Sequence, residues 1–243
     1  MTETFVLIPG AWHGGWTWRP VAERLRAHGH RVLTPTLPGL ADGEDPRGYS
    51  LADAGDFVVD LIARYDLRDV TLIGHSWAGY VITHAAPRLA DRLRGLVYWS
   101  AFVPAEGRGL FDEVPPDHRE LFTRTARESG DNTVVLPYEV WREKFIQDAP
   151  EPVRHLTYQL LVRQPFQYFT ETVTPLDPDS LSVPVSYVLS TDDIVMPPGE
   201  LAWDRFADRL GVSPTAAPGS HEACFTQPDG LAEALLATVS AQH

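Results

Sequence analysis

The sequence Gly-His-Ser-Trp-Ala-Gly at positions 74–79 places small residues two positions to either side of Ser76, directly after the predicted buried strand Val70–Ile73. A serine at a sharp strand-to-helix turn, in the pattern G-x-S-x-G, is the arrangement of a nucleophile elbow, where larger neighbours would collide. Ala78 replaces the last glycine of that pattern, but it is small and Gly79 follows it. We therefore predict that Ser76 is a nucleophile for acyl transfer.

A serine nucleophile needs a base that takes its proton and an acid that orients the base. The strand predicted at Val185–Leu189 is followed by Asp192 and Asp193, and the strand predicted at Ser213–Ala216 is followed by His221. Sheets of parallel strands place their sites at the carboxyl ends of the strands. We predict His221 as the base and Asp193 as the acid, with the adjacent Asp192 as the alternative acid.

Acyl transfer also needs N–H donors for the oxyanion that forms on the attacked carbonyl group. An elbow supplies one donor from the residue after the nucleophile, which is Trp77. The second donor is expected in the glycine-rich loop Pro9–Trp16, where glycines free the backbone to approach a ligand. We predict Ala11 as this second donor.

Composition excludes several classes of protein. The chain has 243 residues, 44% of them apolar, which is enough for a sizeable core, and its net charge is −13. That charge argues against a protein held on nucleic acid or on an anionic membrane. The one cysteine, Cys224, excludes an internal disulfide and a multi-cysteine metal site, and we expect a cytoplasmic protein.

Strand and helix patterns alternate along much of the chain, with short connections between them. This order predicts an α/β fold with a mostly parallel sheet and helices on both faces. The predicted strands are Phe5–Ile8, Arg31–Thr34, Val70–Ile73, Leu96–Trp99, Val185–Leu189 and Ser213–Ala216, and a capping box at Ser50 and Asp53 begins one of the helices.

The alternation stops between about Pro104 and Ser182, where we find only helical patterns interrupted by prolines. We predict that these residues form a mainly helical cap inserted into a single domain that spans residues 1–243. The cap is rich in aromatic residues, which is typical of an apolar lid over a binding pocket. We expect five residues to line that pocket: Trp12, Trp99, Phe102, Trp141 and Phe166.

With these motifs the chain resembles the α/β-hydrolase superfamily, and within it the branch of plant methyl esterases, hydroxynitrile lyases and their bacterial relatives. The resemblance covers most of the chain, and its motifs lie at residues 5–18, 74–79, 101–104, 191–197 and 219–222. It implies the α/β-hydrolase fold with a cap. The family's Thr-x-Asp-x-x-x-Pro pattern falls on Thr191, Asp193 and Pro197, which supports Asp193 as the acid.

Two positions depart from the hydroxynitrile lyases of this branch. The resemblance implies that such lyases need a threonine where this chain has Gly10 and a lysine where it has Glu222. A lyase that stabilises cyanide requires a cation at the second position, and a glutamate supplies an anion. We therefore disfavour lyase activity.

The sequence thus predicts a serine hydrolase that cleaves a carboxylic ester of a small or medium hydrophobic molecule through an acyl-enzyme, with no metal or organic cofactor. Three alternatives remain: a lactone hydrolase, thioesterase or cyclase with the same triad; non-hydrolytic carbonyl chemistry with Ser76 as a proton shuttle; and a ligand receptor with a vestigial site. We expect a hydrophobic ester or a related carbonyl compound as the partner, without nucleic acid or membrane, and leave a homodimer open.

Overall fold

A computed structural model describes residues 2–241 and contains eight strands over that range. The strands are β1 (Thr4–Ile8), β2 (Arg31–Leu33), β3 (Val70–His75), β4 (Leu93–Trp99), β5 (Thr133–Val134), β6 (Gln164–Pro165), β7 (Val185–Ser190) and β8 (Thr215–Ala217). Six of them form one parallel sheet in the spatial order β2-β1-β3-β4-β7-β8. The predicted α/β class with a parallel sheet is confirmed.

Ten α-helices connect or flank these strands within the described residues. They are α1 (Arg19–Ala27), α2 (Leu51–Arg64), α3 (Ala78–Ala85), α4 (Pro116–Ser129), α5 (Tyr138–Val140), α6 (Glu151–Gln159), α7 (Gln167–Thr170), α8 (Asp204–Leu210), α9 (Ala223–Thr226) and α10 (Pro228–Ser240). The predicted capping box begins α2: the Ser50 hydroxyl accepts from the Asp53 N–H, and the Asp53 carboxylate accepts from the Ser50 N–H. Over residues 2–241, no helix is both long and apolar enough to cross a membrane.

The sheet separates two apolar cores, because successive side chains of a strand point to opposite faces. In β1, Phe5 and Leu7 join the core that contains α1 and α10, whereas Val6 and Ile8 join the core that contains α2, α3 and α8. All four of these side chains are fully buried. Burial on both faces explains why the strand is a continuous apolar run in the sequence.

Residues 100–184 lie between β4 and β7 and are called the β4–β7 segment here. The segment contains helices α4 to α7 and the antiparallel pair β5 and β6. The sequence predicts the helical character but not these two strands. Each strand has only two residues, which is too short for the alternation of apolar and polar side chains that indicates a strand.

Candidate active site

Ser76 occupies the turn between β3 and α3 in a left-handed backbone conformation, with φ of 54°. Two backbone bonds hold this turn: the Ser76 N–H donates to the Trp99 carbonyl (3.2 Å), and the Ser76 carbonyl accepts from the Phe102 N–H (3.1 Å). A side chain at Gly79 would overlap the Phe102 carbonyl oxygen. Gly79 is therefore required by the close approach of Phe102, which follows β4, and a side chain at Gly74 would press on Ala78 and Ile82 of α3.

The three side chains predicted to act together form one hydrogen-bonded chain. Nε2 of His221 lies 2.9 Å from Oγ of Ser76, and Nδ1 of His221 lies 2.6 Å from Oδ2 of Asp193. Because a carboxylate only accepts, Nδ1 carries a proton and Nε2 is left to accept from the Ser76 hydroxyl. This tautomer can take the proton of Ser76.

Asp193, and not Asp192, supplies the carboxylate in this chain. The Asp193 side chain is fully buried, and its second oxygen accepts from the Val195 N–H at 3.0 Å. Asp192 is exposed, and its carbonyl oxygen accepts from the amide of Gln147. Each oxygen of the Asp193 carboxylate thus has a hydrogen-bond partner, His221 or the Val195 N–H.

The charges around His221 change the pKa of its imidazole. Burial disfavours the protonated ring, but the Asp193 carboxylate, through its charge and its hydrogen bond, and then the charge of Glu222 act in the opposite direction. The net effect raises the pKa of His221 above its ordinary value. The site thus favours the imidazolium that forms when the base takes a proton.

Beneath the elbow, His75 packs its ring against Trp99, with ring centroids 4.0 Å apart. Burial, and then the nearby His221 and His13 rings, hold the pKa of His75 well below its ordinary value. Within residues 2–241, the side chains of His75, His221 and Glu222 bring nitrogen and oxygen atoms within 4.8 Å of one another. This group does not fit a metal site, because both His221 nitrogens are engaged by Ser76 and Asp193.

The predicted N–H donors lie on the two segments that border Ser76. Trp77 follows it directly, and a Cβ atom on Gly10 would lie only 3.3 Å from the Cβ of Ser76. Among the described residues, no acceptor takes the N–H of Ala11 or of Trp77. The two N–H groups are therefore not engaged within the described residues, and their role as oxyanion donors stays a prediction.

Four of the five predicted pocket residues contact aromatic rings on one side of the sheet, and the fifth, Trp99, packs on the other side. Trp12 lies among phenylalanines of the β4–β7 segment, with ring centroids 5.4 to 5.9 Å from those of Phe122, Phe145 and Phe169. Trp141 stacks on Phe145, Phe166 contacts Phe111, and Phe102 contacts Trp203. Trp99 does not join them, because it packs in the core of α1 and α10.

Two aromatic residues contact His221 although the sequence does not single them out for the site. The buried Trp203 stacks on His221 with centroids 5.5 Å apart and planes at 15°. Phe145, one of many cap aromatics, meets the same ring edge-on at 5.2 Å. Neither residue has a distinctive pattern in the sequence, because aromatic residues of cores and of sites look alike there.

A cleft of about 870 Å³ opens beside this site. Its lining includes Asp193, Met196 and Trp203, together with His118 and Lys144 of the β4–β7 segment. Ser76 is not part of its lining and is only 8% exposed. The cleft therefore borders the acid end of the hydrogen-bonded chain.

Comparison with known proteins places these features in a family context. The model of the family described as "Alpha/beta hydrolase family" matches residues 5–234. A carbendazim hydrolyzing esterase of a Nocardioides species is 45% identical over 113 residues, a match that covers 46% of this chain and 47% of that esterase. A pyrethroid hydrolase of Sphingobium wenxiniae is 29% identical over 97% of this chain and 87% of its own length.

A solved structure gives the same result at the level of the fold. It is described as an extracellular alpha/beta-hydrolase from a Paenibacillus species with structural and functional homology to tobacco salicylic acid binding protein 2. It superposes with a TM-score of 0.92 and 29% identity, over 97% of this chain and 98% of that one. Plant methylesterases and an α-hydroxynitrile lyase also match, as the motifs predict.

Proposed function

This chain belongs to the alpha/beta hydrolase family, and on that basis we propose that it is a serine esterase for small or medium hydrophobic esters. The observation that carries the proposal is the hydrogen-bonded chain from Ser76 through His221 to Asp193. Its relatives support the reaction class, because two of them are described as an esterase and a pyrethroid hydrolase.

In the proposed reaction, Oγ of Ser76 attacks the ester carbonyl carbon while Nε2 of His221 takes the hydroxyl proton. The N–H groups of Ala11 and Trp77 hold the oxyanion of the tetrahedral intermediate. His221 then gives the proton to the leaving alcohol as the C–O bond breaks, which leaves an acyl group on Ser76. Water, deprotonated by His221, releases the acid and restores the hydroxyl group.

The surroundings of Ser76 favour a hydrophobic acyl or alcohol group. We propose that the predicted cap, residues 104–182 of the single domain, covers the serine with the aromatic rings that surround Trp12. Trp203 and Phe145 enclose His221 on two sides. A charged substrate would lose its hydration in such surroundings without a compensating partner.

Two observations argue against lyase chemistry. A Cβ atom at Gly10 would lie 2.9 Å from Nδ1 of His75, so the threonine that such lyases need does not fit without a shift of that ring. Glu222 is buried and adds negative charge beside His221, where a lyase needs a cation.

The test is intact mass spectrometry during turnover of p-nitrophenyl esters of increasing acyl length. We expect chromophore release together with a transient acyl adduct on Ser76, and the length profile reports the size of the acyl pocket. Folded protein that gives neither an adduct nor release contradicts the proposal. Esters with a tethered hydroxyl group separate hydrolysis from lactone formation, because the two products differ by one water.

The cellular location and the oligomeric state stay predictions. The sequence favours the cytoplasm, whereas the similar Paenibacillus protein is described as extracellular. Fractionation of the source cells and light scattering of the purified protein test the location and the homodimer respectively.

A further inference from the structure

Both ends of one peptide group, that between Ala11 and Trp12, are held by side chains. The Ala11 carbonyl accepts a hydrogen bond from Nδ1 of His13 at 2.6 Å. The Trp12 N–H donates to Oε1 of Gln164 at 2.9 Å. His13 and Gln164 are both buried, at 1% and 0% exposure. The peptide plane is therefore fixed from two sides.

This peptide group needs such support because of the backbone at Trp12. Its φ of 64° lies in the left-handed region, which large side chains rarely adopt. Strained residues persist where the surrounding structure holds them. Once the plane after Ala11 is fixed, only rotations within Ala11 itself can turn its N–H group, and the burial of Ala11 limits them.

Gln164 comes from β6, so one half of this support belongs to the β4–β7 segment. The same segment forms two further hydrogen bonds with Trp12. The Trp12 carbonyl accepts from the Val162 N–H at 2.9 Å, and the Trp12 indole N–H donates to the Val134 carbonyl at 3.0 Å. The predicted oxyanion loop and the β4–β7 segment are thus hydrogen-bonded at three points around one residue.

The amide of Gln164 has one feasible orientation. Its oxygen must face the Trp12 N–H, because the reverse orientation would oppose two donors. The amide nitrogen is then buried, with no hydrogen-bond partner anywhere in residues 2–241. A glutamine whose nitrogen stays unsatisfied in the interior is poorly suited to a merely structural position, because that group carries a free-energy cost. The contribution of Gln164 is therefore its oxygen Oε1, which accepts from the Trp12 N–H.

The His13 ring is held by aromatic packing. It contacts Trp16 and Trp141, each with ring centroids 5.7 Å away. Oε2 of the buried Glu222 lies 3.7 Å from Nε2 of His13, which makes no hydrogen bond within residues 2–241. These contacts fix the ring with Nδ1 toward the Ala11 carbonyl.

We propose that Gln164 and His13 are positioning residues of the oxyanion hole, and that the β4–β7 segment, through Gln164, completes that hole. The inference rests on the proposed esterase function. It predicts that loss of either hydrogen bond weakens binding of the tetrahedral intermediate more than binding of the substrate, because only the intermediate carries the oxyanion.

The test compares Gln164→Met, which keeps the length of the side chain and removes the acceptor, with Gln167→Met, three residues along the same segment. Each variant is assayed for kcat and KM on a p-nitrophenyl ester. Each is also assayed for inhibition by a trifluoromethyl ketone, which forms a tetrahedral adduct with the serine. The control inhibitor is the secondary alcohol obtained by reducing that ketone, which cannot form the adduct. We expect Gln164→Met to lose about 10²-fold in kcat and a similar factor in affinity for the ketone. KM and affinity for the alcohol stay near the wild-type values, and Gln167→Met behaves as wild type.

His13 gives an independent comparison. Asn at this position retains a donor near the place of Nδ1, whereas Ala removes it. We expect His13→Ala to show the same selective loss of ketone affinity, and His13→Asn to regain most of it.

The outcomes separate the two proposals. Wild-type protein without turnover contradicts the esterase function. An active wild type, with Gln164→Met equal to Gln167→Met or with alcohol and ketone weakened by the same factor, overturns the positioning role. If Gln164→Met does not fold, the His13 pair decides by the same criterion.

Discussion

Nε2 of His221 lies 2.9 Å from Oγ of Ser76, although 145 positions separate the two residues in the chain. Ser76 follows β3 and His221 follows β8, and β4 and β7 lie between these strands in the sheet. The loop after β8 therefore reaches back across two strands to the elbow. Asp193 follows β7, one of the strands it crosses, and so meets the histidine from the other side.

Removal of the nucleophile tests the proposed mechanism directly. We expect Ser76→Ala to reduce kcat by at least about 10⁴-fold, because nothing else at the elbow can form the acyl-enzyme. The measurement is p-nitrophenyl ester turnover together with fluorophosphonate labelling followed by intact mass. Circular dichroism identical to wild type serves as the control. Unchanged turnover in the folded variant would refute the mechanism.

The two adjacent aspartates form a natural pair of variants. Asp193→Asn should lower kcat by about 10⁴-fold, because an amide at this place no longer favours the tautomer with the proton on Nδ1 of His221. Asp192→Asn changes an exposed side chain and should leave kcat close to the wild-type value. Steady-state kinetics of both variants checks this, and an equal loss in the two would show that the acid is wrongly assigned.

The pH dependence follows from the charges at His221. The base acts in its neutral form, so kcat/KM falls as the pH drops through the pKa of His221. That pKa is raised, so the acidic limb should have its midpoint above the ordinary value of a histidine side chain. Glu222→Gln removes one of the charges that raise it, so the limb should move to lower pH. The exposed Glu233→Gln is the control for net charge, and an upward move of the limb in Glu222→Gln would contradict the assignment.

The elbow also makes a prediction about stability. Gly79→Ala places a methyl group on the Phe102 carbonyl oxygen, so the backbone must shift to accommodate it. Overpacking of this kind costs about 1–3 kcal/mol, and each kcal/mol lowers the Tm of a protein of this size by about 2–4 °C. Thermal unfolding followed by circular dichroism measures the change. A Tm within 1 °C or so of wild type would show that the contact is not tight.

The sequence by itself determined the sheet and the elements that carry the candidate site. Continuous apolar runs such as Phe5–Ile8 indicate strands buried on both faces, and Ser76, Asp193 and His221 each lie within four residues of the end of a predicted or observed strand. These signals are local: the period of the side chains, the small residues of a turn and the polar residues of the loop after a strand. Such patterns depend only on residues that are close in the sequence, so they can be read without knowing how distant parts of the chain pack.

Only the tertiary structure decided which side chains meet. It selected Asp193 over its neighbour at the His221 ring, brought Trp203 onto that ring, and placed Gln164 at the N–H of Trp12, 152 positions away in the chain. It also placed Trp99 in the core of the opposite face. Trp203 and Gln164 have no distinctive type or spacing in the sequence, and their contacts depend on how separate parts of the chain pack on the sheet. Such packing arises from contacts between distant parts of the chain, which leave no periodic pattern in the sequence.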